Sequence, residues 1–432
     1  MIEAPVRVSL VVPLCPKFHG NGLVMRAASL LKLLKFCGVA TDLLIVNVFS
    51  NKEEEPEEEI HKLCRTISWI KNPIEKPASP SWIDEHGGRQ AIPYEWQRYN
   101  ESWQSDIKSA LEKLQPDLIM VFRFWLVPFI LPVVTNNTPV WLDVDELEST
   151  VKRRISRLYA LLLSTKSATT DRTVLSQALT KSGELHLQAK ALERLEARYL
   201  PSFHRIFCSS PVEQKNILAK IPGHEVLVLP NIYPRVRRQI QRQSDGKARL
   251  LMVGNYDYYP NRDGLFYFCQ KILPALQSRS ALPIELLAVG GGLESSDHRL
   301  LPDNVKVVGP VPDTTPYYAD CDLAIVPLRA AGGTRIKILE AFSHERAVVS
   351  SAIGAEGLEV TTGRHLLIAD SSEDFIEQCL LLIDDAEKRN AIAQQGHAFF
   401  KMHHSMDSLL EMVPQLFSGA ISKPVNQRSG LV

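Results

Sequence analysis

The chain has 432 residues, too many for one ordinary domain and enough for two or three. Its 45% hydrophobic and 23% charged residues are those of a soluble globular protein and exclude a globally disordered chain. Lys plus Arg number 49, as do Asp plus Glu, which removes the basic excess of a dedicated nucleic-acid binder and leaves only a local anion site open.

The first apolar run, residues 6–12, reads as a strand ending at Pro13, followed by a periodic helix over 23–37 and a strand over 39–49. Strand, loop, helix and strand in that order make a parallel βαβ unit, with the loop PLCPKFHGNG at the carboxyl edge of its sheet, where ligands usually bind. Between residues 51 and 100 no regular element is legible; NKEEEPEEE, with six glutamates in nine residues, reads as a solvated surface stretch. A helix over 102–114, a strand over 117–122, a helix through 129 and a strand over 140–142 follow, which puts Asp143 and Asp145 just past a strand's carboxyl end. The long amphipathic stretch 147–199, interrupted by the Ser/Thr-rich piece 164–173, predicts packing helices of this first domain. A strand over 204–208, a helix from Ser210 and a strand over 226–229 complete it.

Residues 231–247 are polar, basic and without apolar periodicity, as a hinge-like linker would be. Six strands then alternate with helical segments, at 249–253, 284–289, 305–308, 323–326, 347–350 and 366–368, which predicts a second, doubly wound parallel sheet. Residues 386–417 read as helical and the last fifteen as frayed. The expected division is an N-terminal domain over 1–230, the linker 231–247, a C-terminal domain over 248–397, and a helix and tail over 398–432 crossing back to the first domain.

Seven cysteines, Cys15, Cys37, Cys64, Cys208, Cys269, Cys321 and Cys379, are odd in number and form no CxxC or Cys/His metal pattern, so they read as reduced and mostly buried. No segment reaches the roughly 20 apolar residues of a membrane span, and the start MIEAPVRVSLVVPLC lacks a basic region followed by a long apolar one. The expectation is a cytoplasmic protein, with room left for peripheral contact with a membrane.

Chemistry is most legible in LAIVPLRAAGGTRIKILEAF, residues 323–342. A buried strand ends there in a small-residue loop, and Thr334 is a suitable N-cap for a helix starting at Arg335. Free N–H groups around Gly333 would face an anion. Arg335 and Lys337 in the first helical turn oppose the helix dipole, and a broken local rule often marks a site. Lys337 and Glu340, three residues apart, share a helix face, so an ammonium and a carboxylate can point into one cleft. A carboxylate suits a ribose diol, and ribose next to diphosphate describes a nucleotide; the plain alternative is a surface ion pair. Gly254 and Asn255 after one strand, and AVGGG at 288–292 after the next, bring two more close-approach loops to the same sheet edge.

MVGNYDYYPNRDGLFYF, LLAVGGG, VKVVGPVPDTTPYYADCDLAIVPL and GGTRIKILEAFSHERAVVSSAIGAEGL resemble, in that order, the C-terminal domain of glycosyltransferase family 4, over roughly residues 249–400. GGTRIKILEA resembles a bacterial subgroup of sugar transferases. The first half resembles the family only through the GNG loop at 20–22 and LDVDELES at 142–149. The resemblance implies a GT-B architecture of two Rossmann-like, doubly wound α/β domains facing a cleft, with donor on the C-terminal one and acceptor mainly on the other. It also implies retention of anomeric configuration and no bound metal or other cofactor. Carried over by position, Glu340 holds the ribose, Lys337 meets the diphosphate, Val311 touches the base, and Gly22 lies near the transferred sugar and phosphates. The family often has a second glutamate where this chain has Gly332, and its usual basic pair after the first C-terminal strand is not evident; Arg262 is one candidate and a displaced surface arginine the other.

Among remaining groups, His19 precedes the GNG loop, and Asp143 or Asp145 could orient an acceptor hydroxyl or act as base, or equally serve as a helix cap and Asx turn. The expected function is transfer of a hexose-type sugar from a nucleoside diphosphate to a hydroxyl-bearing acceptor, be it saccharide, lipid-linked saccharide, protein or small molecule. Lys337, Arg335 and the helix N-terminus would stabilise the departing diphosphate, and Asp145 would act at the acceptor. A sugar-nucleotide epimerase of the same fold, or a non-catalytic nucleotide-sugar binding partner, are the alternatives.

Overall fold

A computed structural model describes residues 5–48, 54–70, 93, 96, 102–134, 138–164, 172–236, 245–332 and 335–417. The chain divides into two compact units. One takes the described residues of Met1–Ser156, Gly183–Pro230 and Leu409–Val432; the other takes those of Arg157–Ser182 and Asn231–Ser408.

In the first unit seven strands form one parallel sheet: β1 (Arg7–Val12), β2 (Ala40–Val46), β3 (Thr66–Ile70), β4 (Leu118–Phe122), β5 (Val140–Asp145), β6 (Arg205–Cys208) and β7 (Val226–Val228). Their order is β3-β2-β1-β4-β5-β6-β7. Because both faces of such a sheet are covered, its central strands are continuous apolar runs, and all five residues of β4 are buried. Leu10 in β1 lies between Leu43 of β2 and Met120 of β4. The helix Gly22–Phe36 starts where Asn21 Oδ1 accepts from the N–H groups of Leu23 and Val24, at 3.0 and 3.2 Å. It packs through Ala27, Leu30, Leu31 and Leu34, the spacing of one helix face.

Two expectations for this unit need correction. Residues 51–100 do hold regular structure: a helix over Glu58–Leu63 and the strand β3. As an edge strand with four of its five residues only partly buried, β3 shows neither a buried run nor a clean alternation. The described part of the acidic stretch is largely exposed, as expected, and its carboxylates make surface ion pairs. Glu54 pairs with Lys17 at 2.7 Å, Glu57 with His19 at 3.2 Å and Glu59 with Lys32 at 2.8 Å, which lays it against the first loop and helix. The second correction concerns β5, which runs on through Asp145 instead of ending at residue 142. Its pairing with β6 shifts register between Asp143 and Asp145. Aspartates inside a strand run against apolar patterning, and they are stable here because arginines neutralise them.

The second unit repeats the design with β8 (Ala248–Val253), β9 (Ile284–Val289), β10 (Val305–Gly309), β11 (Leu323–Val326), β12 (Ala347–Ser350) and β13 (Leu367–Ile368), ordered β10-β9-β8-β11-β12-β13. In both sheets the order reverses beside the first strand, and such a reversal opens a crevice outside the carboxyl ends of the strands. In the second unit that crevice lies beyond β8 and β11, between the segments that follow Val253 and Val326. The long C-terminal helical stretch is two helices, Ala386–His403 and Met406–Leu416, interrupted where the imidazole Nδ1 of His404 meets the Asn231 carbonyl at 2.8 Å. Phe417 closes against Trp141 and Phe207 of the first unit. The frayed tail expected at 418–432 lies outside the described residues. All seven cysteines are free, five of them buried. Among the described residues no helix is long and apolar enough to cross a membrane.

Backbone contact at the second crevice depends on glycine. Gly290, at φ +134°, would place a Cβ 1.8 Å from the Gly254 carbonyl oxygen, and Gly292, at φ +95°, would place one 2.2 Å from the Asp257 nitrogen. Gly290→Ala should therefore cost roughly 3 kcal/mol or more. Gly309→Ala, at φ +83° with open space around it, should lose only the ~1–2 kcal/mol of left-handed backbone. Thermal and denaturant unfolding compare the two; equal losses would contradict the packing described.

Candidate functional site

The helix Ile336–Ser343 leaves the loop after β11 at the carboxyl edge of the second sheet. Gly333 and Thr334, expected to cap it and to offer N–H groups, lie outside the described residues. Arg335 does not stand in the first helical turn as expected but at the N-cap position, with ψ 77°. Its guanidinium keeps it there: Nε donates to the Ile353 carbonyl at 3.1 Å, another nitrogen donates to the Gly332 carbonyl, and Glu356 lies 3.7 Å away. Arg335 is thus buried and occupied with loop carbonyls, while its charge still acts on its neighbours.

Lys337, one turn into the site, donates from Nζ to Asn261 Oδ1 at 2.5 Å. Burial of the ammonium, reinforced by Arg335 and partly opposed by Glu340, lowers its pKa to about 7. An ammonium so destabilised gains more than an ordinary lysine from an anion brought next to it. Asn261 in turn donates from Nδ2 to the Asn255 carbonyl at 2.7 Å, which fixes its amide and presents the oxygen to Lys337. Asn255 turns the chain by accepting the Asp257 N–H on its side chain at 3.0 Å. Gly254 is required beside it, since a Cβ there would stand 2.9 Å from Asn261 Nδ2.

Glu340, 8% exposed, accepts on Oε1 from Tyr233 Oη at 2.9 Å and Thr314 Oγ1 at 2.5 Å. Burial raises its pKa, against the effect of these hydroxyls and of Lys337. A carboxylate with two oxygens has capacity beyond these donors, and a ribose diol could use it. Val311, in the loop after β10, is partly buried at the margin of the same apolar cluster as Tyr233 and Val253. Arg262 is not displaced at random: it pairs with the buried Asp297 and reaches the Gly292 carbonyl at 3.4 Å, holding the β9 loop. The sequence reading missed Asn261, Tyr233 and Thr314. Asn261 had a signal, a polar residue with Pro260 at a helix start, whereas Tyr233 was hidden in a segment read as linker.

In the first unit Gly22 opens the helix Gly22–Phe36, and His19 is exposed beside Glu57. Asp143 is fully buried and grips Arg26, with Nε at 2.9 Å and Nη2 at 2.8 Å. Arg123 donates to Asp145 at 2.8 Å and to Glu148, and lies 3.6 Å from Glu146. Arg26 is 3.8 Å from Asp145. Arg123 and Asp145 have φ of +74° and +58°, so backbone strain collects at the carboxyl ends of β4 and β5. Asp143 also accepts the Asp145 N–H at 3.0 Å, the Asx turn weighed from sequence. The second unit thus brings together Lys337, Glu340, Arg335, Gly254, Asn255 and Val311, while Gly22 and Asp145 belong to the first. Among the described residues no three His, Cys, Asp or Glu side chains form a metal site.

Residues 247–385 match the family described as "Glycosyl transferases group 1". No curated protein matches the sequence. Among solved structures, sucrose-phosphate synthase from Thermosynechococcus elongatus is 15% identical with a TM-score of 0.65, over 95% of this chain and 98% of that one. A TarM variant of S. aureus, solved with Fondaparinux, alpha-GlcNAc-glycerol and UDP, is 10% identical with a TM-score of 0.62, over 96% and 100%. HepE of Anabaena, solved with UDP and glucose, is 13% identical with a TM-score of 0.58, over 95% and 99%. The two units therefore have the GT-B fold, and the second carries a glycosyltransferase domain; the chain is an enzyme of that class.

The first-unit charge cluster separates structural from exposed pairs. Asp143→Ala leaves Arg26 buried without its main partner and should cost about 3–5 kcal/mol. Lys17→Ala removes an exposed pair with Glu54 and should cost ~1 kcal/mol or less. Denaturant melts read both, and a small loss for Asp143→Ala would contradict its anchoring role.

Proposed function

We propose that the chain is a family 4 glycosyltransferase that moves a hexose from a nucleoside diphosphate to a hydroxyl-bearing acceptor, with retention and without a metal. The observation that carries the reading is the pair on the helix Ile336–Ser343. A desolvated ammonium and a hydroxyl-bound carboxylate stand one turn apart at the switch-point edge of a sheet that matches a glycosyltransferase domain. UDP in the TarM and HepE structures supports a nucleoside diphosphate as the donor portion, and the saccharide molecules in them support a hydroxyl acceptor.

In this reading Glu340 binds the ribose hydroxyls on the oxygen lone pairs its own donors leave, and Val311 borders the base. Lys337, with the charge of Arg335 behind it, receives the diphosphate as negative charge grows on the leaving oxygen, the task a metal has in other transferases. Arg335 contributes through its field and by holding the loop, since its Nε and Nη1 already serve carbonyls. Gly254 with Asn255 lets backbone approach the donor. In the first unit Gly22 borders the transferred sugar and Asp145 orients the acceptor hydroxyl. Retention rests on the resemblance of the motifs to family 4.

Incubation with a panel of nucleotide sugars, with and without chelator, should release nucleoside diphosphate equally in both, read by mass. Strict dependence on a divalent ion would overturn the metal-free mechanism. Lys337→Ala should lower turnover more than it weakens nucleotide binding, because its interaction grows towards the transition state. Glu340→Gln should mainly weaken donor binding, by about 1.5–3 kcal/mol. Unchanged turnover and affinity in folded variants of both would sink the site.

A further inference from the structure

We propose that Asn261 is a positioning residue that sets both the location and the charge of Lys337. The inference rests on the reading of Lys337 as the diphosphate ligand. Asn261 is 7% exposed and stands in the first turn of the helix Tyr259–Tyr267, and its two polar atoms are both committed. Its amide nitrogen is tied to the Asn255 carbonyl at 2.7 Å, so the oxygen has one direction left, towards Lys337 Nζ at 2.5 Å. A main-chain carbonyl in that place could not be tuned by substitution; a side-chain amide can. The charged groups acting on the ammonium are Arg335 at the head of its own helix, which disfavours the charge, and Glu340 one turn on, which favours it. Asn261 is neutral and reaches over from a different helix, so it holds the ammonium through a dipole and leaves its net charge for an incoming anion.

A carboxylate in the same place would hold Lys337 too well. It would lock the proton on and cancel the charge that an incoming diphosphate needs. An amide leaves the ammonium poised near neutrality, with the proton committed when the anion arrives. The sign follows from linkage. A diphosphate that prefers the protonated lysine binds fully below the pKa of the free protein. Above it the affinity declines as pH rises, towards that of a protein lacking the lysine.

The test titrates UDP calorimetrically between pH 5.5 and 9.5 into wild type, Asn261→Asp, Asn261→Ala and Lys337→Ala. The last ionisation of UDP is common to all four, so differences between proteins report the lysine. Wild type should lose affinity above about pH 7, and Lys337→Ala should lack that break. Asn261→Asp should bind more weakly at neutral pH and move the break upward by about one pH unit or more. Asn261→Ala should move it downward and weaken binding on the order of tenfold. A purely structural asparagine would lower the melting temperature of both variants and leave the break where it is in wild type, and that result overturns the proposal. Should Asn261→Ala fail to fold, Asn261→Asp and the Lys337 Nζ resonance of the ligand-free proteins, followed by NMR against pH, read the same displacement. Wild type that binds neither UDP nor any of GDP, ADP, CDP and TDP would overturn the site itself. Binding with coincident breaks overturns only the role of Asn261.

Discussion

Glu340 gives up its water to sit beneath the loops of the second sheet, and the hydroxyls of Tyr233 and Thr314 take the place of that water. A carboxylate buried without such partners would protonate or disrupt the packing around it. Two separate segments must therefore converge on one helix: the chain after Pro230 and the loop after β10. Tyr233 is fixed at both ends, since its backbone N–H also meets the His404 carbonyl at 3.0 Å, and His404 in turn holds Asn231. The proposed ribose ligand and the course of the chain into the second unit are one construction.

Lys337 obeys the same constraint with the opposite outcome. Among the described residues its ammonium has one neutral side-chain partner and a neighbouring guanidinium, so burial pulls its pKa down to about 7 where Glu340 keeps its donors. The arrangement leaves a cation only partly satisfied by the protein, which is what an anion site requires, and the sheet supplies the place for it. Strand order reverses between β8 and β11, opening the crevice. Gly290 and Gly292 then let the β8 and β9 loops touch backbone to backbone, and Gly254 makes room for the Asn261 side chain. The first unit, by contrast, pairs its buried charges among themselves. Arg26 and Arg123 hold Asp143, Asp145 and Glu148 at 2.9 Å or less.

Apolar periodicity made the two parallel sheets legible, because a strand covered on both faces cannot avoid a run such as LIMVF or IELLAV. It failed at β3, whose edge position leaves Trp69 and the three residues before it only partly buried, and at the end of β5, where aspartates interrupt the run inside a strand. Lys337 and Glu340 were legible as a pair because helical spacing alone puts residues three apart on one face. Their partners were not. Asn261 lies 76 positions from Lys337 and Tyr233 lies 107 from Glu340, and no local rule connects them. Arg335 shows the converse: its charge was visible, but its role depends on the carbonyls of Gly332 and Ile353, which only the folded chain brings within reach.

Everything proposed for the donor rests on where a nucleoside diphosphate settles. A crystal structure of the full chain soaked with UDP in the presence of chelator measures that directly. The account predicts the ribose hydroxyls on the Glu340 carboxylate and a diphosphate oxygen within hydrogen-bonding distance of Lys337 Nζ, with Asn261 still behind the ammonium. Nucleotide bound elsewhere, or a diphosphate turned away from Lys337 with Glu340 contacting protein alone, would contradict it.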